Sequence, residues 1–333
     1  NFAFKDCISL LKIELPETVM EMGKNVFQNC SLMESVIISD NCYYICPETF
    51  YNCTSLSKVI LGEKLQSIEY SAFMGCSSLE SIVIPDSVSF IEYSVFEDCT
   101  SLSNVVLPKK LTYIDNKVFK NCSMLYEIEL PLEIMEIGYE AFENCTSLRK
   151  IDLPENVKII YESAFSGCVS LEEISIPKRI KGIRKNAFFG CRSIKRVSMP
   201  NVMKEQGFLW WKEVFGDDNI YSFAIQFFNK SSKIAKFLKR NWENALPKIL
   251  SLKRIELVLK YISFWEKIPF DLCEKFIELA SDSGFSEGVL ALVEYKNKTY
   301  SPKKIEKIQQ DNLEKALGLK KINRQRLEKT FRF

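Results

Sequence analysis

Nine cysteines recur at a fixed interval of 23 residues: Cys7, Cys30, Cys53, Cys76, Cys99, Cys122, Cys145, Cys168 and Cys191. Aligned thiols could ligate a metal or carry redox chemistry. The same column has a simpler reading, because a free cysteine behaves as a small apolar side chain and is among the most buried residue types. Disulfides need partners that face one another, whereas equivalent residues of stacked units point in parallel. Cys42 and Cys46 lie off the register, yet zinc would need two further ligands and no second closely spaced pair stands nearby. The thiols therefore read as structural. Histidine is absent, which removes Ser-His-Asp triads, Cys-His nucleophiles and imidazole general bases. Glu127 and Glu129 are close in sequence, but an exposed strand offers no dry pocket to shift a carboxyl pKa. No Walker loop, nucleotide fingerprint or paired-carboxylate site stands out. The sequence thus predicts no catalytic residue, no metal and no cofactor, and the protein is expected not to be an enzyme.

The elements that carry these cysteines repeat with them. Phenylalanine precedes each by three residues, from Phe4 and Phe27 through to Phe188. Leu, Met or Ile follows three residues after, as at Leu56 and Leu79. Apolar pairs follow at six and eight, such as Ile82 with Ile84 and Ile151 with Leu153. That alternation points two side chains to one face of a short strand. Proline then ends the strand at Pro85, Pro108, Pro131, Pro154, Pro177 and Pro200, since it fixes φ and donates no hydrogen bond. A second apolar pair, as at Val88 and Ile91, makes another wall, and a small residue with Phe, as at Ala72-Phe73, closes the coil. Each coil is too thin to bury its own apolar residues, so coils must stack and bury them against each other. Nine coils at roughly 4.8 Å per step span on the order of 40 Å.

The segment Ser71 to Tyr93, SAFMGCSSLESIVIPDSVSFIEY, resembles the 23-residue BspA-like leucine-rich repeat, also called the Treponema type. The resemblance covers about residues 1–200. It implies a curved solenoid with a parallel β-sheet on its inner face and a role in binding or adhesion toward a protein or peptide partner. It also implies a surface or secreted location, as is frequent for this family in bacteria and parasitic protists, and it brings no catalytic motif. Ser39 and Gly62 stand where the pattern has proline, which leaves the local loop shape of those two coils open. The chain opens inside a repeat, with Phe4 and Cys7 near the end of a coil, so it reads as a processed or truncated chain without a visible signal peptide.

Composition shifts near residue 200. Residues 1–200 carry 20 basic and 26 acidic side chains, residues 201–333 carry 25 and 17, and all four tryptophans lie in the second part. The register would put Trp210-Trp211 in the slot of Ala-Phe, which a tryptophan cannot enter. The repeats are therefore expected to end at Met203, with Lys204–Phe215 as a capping helix, giving a solenoid over 1–203 and a helical capping and bundle domain over 204–333. Further helices are expected from Asp217 or Asp218 to Asn229 and from Ser231 or Ser232 to Asn244. Pro247 is expected in the first turn of another helix, and Asp271 with Glu274 reads as a capping box. Gly284 is expected to stop that helix and Ser286 to start the next, through about Tyr295. Glu278 to Asn297 is weakly similar to an ankyrin-type helical hairpin. Ser301-Pro302 is read as the start of a basic helix broken by Gly318. The expected fold class is α+β, a leucine-rich-repeat solenoid with a parallel β-sheet followed by an α-helical C-terminal domain. No apolar run approaches the 18 residues of a membrane-spanning helix.

Two features could recognise a partner. The residue between each apolar strand pair should face outward, and four consecutive ones, Ile37, Ile60, Val83 and Val106, are aliphatic where a polar residue is the norm. Glu127, Glu129 and Asp152 continue the face with negative charge. An apolar stripe with a charged border fits a protein or peptide, although β-propensity alone would also favour Ile and Val in strands. The alternative rests on basic clusters. Lys178, Arg179, Lys181, Arg184, Lys185, Arg192, Lys195 and Arg196 form one, and the tail from Lys303 to Arg332 holds ten basic and four acidic residues. These could meet an acidic protein, an anionic lipid surface or nucleic acid, with the solenoid as spacer. No nucleic-acid-binding motif accompanies them, so a nucleic-acid partner is not expected. The Asn-Cys-Ser/Thr triplets, such as Asn52-Cys53-Thr54, match a glycosylation acceptor but arise from the repeat itself.

Overall fold

The computed structural model describes residues 1–194, 196–198, 200, 208–216, 238, 240–251, 255–263, 265 and 267–308. The chain divides into two compact units, Asn1–Phe223 and Ala224–Phe333.

The first unit is a parallel-strand solenoid whose coils superpose with a step of one repeat. The coil around Cys76 shows how the backbone is satisfied. Ser71, Phe73 and Gly75 donate their amides to Tyr93, Val95 and Glu97 in the next coil at 3.1, 3.0 and 2.8 Å. Cys76 and Leu79 instead bond within the coil, to Phe73 and Cys76 at 3.1 and 3.0 Å. Turn bonds and inter-coil bonds together leave the buried backbone paired, as a dry interior requires. The turn needs two left-handed residues per coil, one before Ala-Phe and one before Cys. Ser71 and Ser94 fill the first, with φ of 53° and 58°. Asn52, Asn121 and Asn144, with φ near 60°, fill the second, and Gly75 fills it with φ 77°. Asn is the side chain that tolerates this region best after Gly. A Cβ on Gly75 would also fall on the Asn52 Oδ1 of the preceding coil.

Strands form at two places in the coil. In the first wall, three-residue strands such as Ser35–Ile37, Lys58–Ile60, Ser81–Val83 and Asn104–Val106 carry the outward residue expected from the alternation. Their register shifts by one repeat, pairing Ile37 with Ile60 and Val83 with Val106. The second wall is a ladder as well, built from two-residue strands: Tyr44–Ile45, Ser67–Ile68 and Phe90–Ile91, then Tyr113–Ile114, Glu136–Ile137, Ile159–Ile160 and Gly182–Ile183. The sequence gives that wall its inward isoleucines but not its strand character, since two residues are too few to show an alternation.

Between the walls the repeat signature becomes the core. Phe27, Phe50, Phe73, Phe96, Phe119, Phe142, Phe165 and Phe188 are buried and stack ring on ring, with centroids 5.1–5.7 Å apart. The turn after the first strand keeps one bond throughout, the amide three residues on donating to the proline carbonyl, as in Val88 to Pro85 at 3.0 Å. Ser39 and Gly62 accept the same bond, from Cys42 at 3.0 Å and Leu65 at 3.2 Å. The turn uses the carbonyl, which any residue supplies, so the loop shape left open by these departures is retained. Gly62 has a further reason, because a Cβ there would fall on the Ser39 carbonyl oxygen.

The solenoid ends as a helix, Phe208–Phe215. Asn186 and Phe188 donate to Glu213 and Val214 at 2.7 and 3.0 Å, and Phe215 stacks on Phe188 at 5.4 Å. The phenylalanine column thus gains a tenth ring, 27 residues after Phe188 instead of 23. The expected cap over Lys204–Phe215 is helical where described; residues 201–207 lie outside the described part.

In the second unit the described helices are Trp242–Ser251, Ile255–Ile262, Phe270–Asp282 and Ser286–Thr299, with further helical backbone over 302–308. Three expectations are corrected. Pro247 lies inside Trp242–Ser251, not in its first turn. Burial of Ala245, Leu246, Ile249 and Leu250 on one face offsets the one backbone bond that proline removes. The Asp271–Glu274 capping box does not form, because the helix begins at Phe270 after Pro269 and has no side-chain cap. Asp271 then sits in the first turn, where its charge complements the helix dipole. Gly284, with φ 64°, stops that helix as expected, and the next runs from Ser286 to Thr299, four residues beyond Tyr295. Phe276 packs among Trp242, Tyr261 and Trp265. The amide of Ile268 donates to Tyr295 Oη at 2.9 Å, and Tyr300 Oη donates to the Ile268 carbonyl, tying the preceding loop to the hairpin. The helix expected over 217–229, residues 231–237 of the one expected from Ser231 or Ser232 to Asn244, and the tail beyond 308 with Gly318 lie outside the described residues, while the expected end at Asn244 is corrected by the helix Trp242–Ser251, which runs through it.

Candidate binding surface

The thiols come first, since their chemistry is the most conspicuous. From Cys30 to Cys191, each in-register thiol donates to the carbonyl of the phenylalanine 26 residues earlier: Cys53 to Phe27 at 3.0 Å, Cys99 to Phe73 at 3.2 Å, Cys191 to Phe165 at 3.0 Å. The Phe27 carbonyl also accepts the Cys30 amide at 3.1 Å, so both of its lone pairs are used. Burial pushes Cys53 up to about 12 and Cys46 to about 11. A thiol in that state is a poor nucleophile and a poor ligand. Among the described residues no three Cys, Asp or Glu side chains converge to hold a metal ion.

The first wall brings together all seven residues singled out from the sequence. Ile37, Ile60, Val83 and Val106 face water in consecutive coils, with Val83 65% exposed. Glu127, Glu129 and Asp152 are exposed in the next two coils. Within the acidic part of the row the ladder thins to a single bridge, between Glu127 and Lys150. The acidic border is partly neutralised: Lys150 reaches Asp152 at 2.6 Å, and Arg196 reaches Glu173 at 2.8 Å. Exposed pairs of this kind contribute little to stability, so the border remains free to exchange partners.

The second wall carries a surface that the sequence reading passed over. Its outward residues are Tyr44, Ser67, Phe90, Tyr113 and Glu136, and Tyr113 Oη donates to Glu136 at 2.5 Å. That carboxylate holds the Tyr113 hydroxyl protonated well above its ordinary range. A groove of about 660 Å³ opens over Ser67, with Tyr43, Tyr44 and Phe90 as its rings and Glu63, Lys64, Gln66, Ser87 and Ser89 around it. The signal was present, since the residue before each isoleucine of that wall must point outward by the same period-two rule.

In the basic cluster on the last coils, two guanidinium groups have side-chain partners, one of them charged. Arg179 donates to Asn156 Oδ1 at 3.0 Å and Arg196 is engaged by Glu173. Lys195 and the tail beyond 308 lie outside the described residues. Among the described residues no helix is long and apolar enough to cross a membrane.

The repeat pattern described as the BspA type leucine rich repeat region matches residues 1–103 and 91–208, in six copies. No curated protein matches the chain. Among solved structures, a leucine-rich repeat protein from Bacteroides ovatus is 28% identical with a TM-score of 0.51, over 60% of this chain and 63% of that one. The chain therefore spans less than two thirds of that relative. A leucine-rich repeat protein of T. pallidum is 26% identical with a TM-score of 0.40, over 59% and 80%. A leucine-rich cell surface protein from Faecalibacterium prausnitzii is 20% identical with a TM-score of 0.32, over 62% and 82%.

Proposed function

The chain belongs to the BspA-type leucine-rich repeat family, and on that premise we propose that it is a non-catalytic interaction scaffold, at the cell surface or secreted, that recognises a partner protein or peptide on the first wall of its solenoid. The observation that carries this reading is the run of Ile37, Ile60, Val83 and Val106, four aliphatic side chains held in water by the coil register. Backbone pairing fixes where they stand, so they cannot turn inward to escape solvent. Covering such area is favourable by about 25 cal/mol per Å², and a contiguous apolar patch with a charged rim is the composition of a protein-binding surface. Glu127, Glu129 and Asp152 orient the partner, since rim charges act on encounter and register more than on affinity.

The test is the pair Ile60→Glu with Val83→Glu. Both side chains are exposed, so the variant should keep its circular dichroism and melting temperature. Proteins captured by the parent chain are identified, purified and titrated calorimetrically against both forms. A loss of at least tenfold in affinity supports the first wall, and unchanged affinity rejects it. Binding that instead falls steeply with salt, and vanishes on deletion of residues 224–333, assigns recognition to the basic helical segment.

A further inference from the structure

We propose that the groove over Ser67 on the second wall is a carbohydrate site that takes a neutral pyranose ring between Tyr44 and Phe90. Ladder pairing sets Tyr44, Ser67 and Phe90 in consecutive coils. At roughly 4.8 Å per step, the two aromatic residues are rooted about 10 Å apart. Neighbouring rings one coil apart leave no room: Tyr70 and Tyr93 stack directly at 5.1 Å. At Ser67 the middle ring is missing, and a root separation of about 10 Å leaves space for one ring between the two aromatic residues. Phe90 is 68% exposed, a large apolar face that a stable fold gains nothing by presenting to water.

The chemistry of the rim selects the ligand. Glu63 and Lys64 have opposite charges, so the groove attracts neither anion nor cation strongly. Gln66, Ser67, Ser87 and Ser89 present both donors and acceptors. Lys64 is already directed by Asn41 Oδ1 at 2.9 Å, and Tyr44 Oη by Gln66 Oε1 at 3.4 Å, so part of the rim is pre-set. An apolar peptide side chain would desolvate these groups without pairing them, at a cost. A pyranose supplies apolar C–H faces for the two rings and hydroxyls around its edge for the rim. The groove volume falls within the range of small-ligand sites.

The experiment uses the full chain with neutral hexose oligosaccharides (gluco-, galacto- and manno-configured tetramers) as probes, read by saturation-transfer NMR and titration. Saturation transfer to at least one probe is expected, centred on the C–H protons of one residue of the sugar. Phe90→Ala should weaken it at least tenfold. Ser67→Phe, which supplies the missing ring from within, should abolish it, and Ile60→Glu with Val83→Glu should leave it unchanged. Ser67→Phe is checked for fold by circular dichroism, and Tyr44→Ala serves in its place if it unfolds. No transfer to any probe, transfer that survives both groove variants, or preferential binding of a proline- or aromatic-rich peptide in the groove would overturn the assignment.

Discussion

The interior columns and the outward rows of the solenoid obey different rules. Inside, one position holds one residue type from coil to coil: phenylalanine from Phe27 to Phe188, cysteine from Cys30 to Cys191. A ring that stacks on its own copy is satisfied only if every coil repeats it. Outside, the row through Ile37 runs through aliphatic, acidic and then hydroxyl residues, ending at Ser175 and Ser198. The row through Tyr44 runs from aromatic to Glu136 and Gly182. Stacking constrains what faces in, while outward residues are held in place by neighbours they do not need to resemble. The fold is therefore encoded in what repeats, and recognition in what does not.

The largest effect should come from charging the interior. Cys76, Cys99, Cys122, Cys145 and Cys168 are fully buried, and burial raises each above the ordinary thiol range. A raised folded pKa means that the folded chain holds the proton more tightly than the unfolded one. The stability is therefore complete below the ordinary thiol value of about 9 and is lost as pH rises toward the folded values; for Cys53 that value is about 12. Each thiol costs about 1.4 kcal/mol per pH unit in that window. The five together give a slope of about 7 kcal/mol per pH unit, enough to unfold the solenoid within one or two units. Urea midpoints at pH 8 to 11 measure this, and Cys99→Ala should lower the slope by one thiol's share. A flat profile would mean that the interior is wet.

A smaller effect tests the column of rings. Phe96 stacks between Phe73 and Phe119, 5.7 Å from each. Phe96→Ala opens a cavity that neighbours fixed by their own stacking cannot close, and should cost about 3–5 kcal/mol. Chemical denaturation of the two forms reads it directly. A loss under 1 kcal/mol would show that the column is a by-product of the turn and not a support.

This division also explains what the sequence made legible. Ile82 and Ile84 flank Val83 in a period-two pattern, and Pro85 marks its end, so the first wall and its seven outward residues could be placed by counting. Trp210 marked a departure from the register by not fitting a small slot, and the chain there is a helix, Phe208–Phe215. Phe215 was not visible as a member of the phenylalanine column, because four extra residues move it off the register. The aromatic groove was missed because its strands have two residues each and show no alternation of their own; its signal was the residue before each inward isoleucine, where Tyr44 and Phe90 stand. Pro247 and Asp271 misled because local capping preferences are worth less than burying one face of a helix. Function was the least legible level, since an outward residue is free to vary and its type alone does not name what it meets.

The smallest effect is the sharpest comparison, because it separates two adjacent residues. Ile82 and Val83 share a strand and differ only in which side of it they face; Ile82 is buried and Val83 is 65% exposed. Ile82→Thr puts a hydroxyl into the dry interior, where the strand amides and carbonyls are already paired, and should cost about 1–3 kcal/mol. Val83→Thr keeps the β-branched shape and places its hydroxyl in water, so it should stay within about 0.5 kcal/mol of the parent. Urea unfolding of the two variants gives both numbers under one condition. Should Val83→Thr cost as much as Ile82→Thr, the outward row would be part of the fold's support, and its aliphatic character would need no partner to account for it. A near-zero cost leaves the aliphatic stripe without a structural reason, and strengthens the case that something outside the chain covers it.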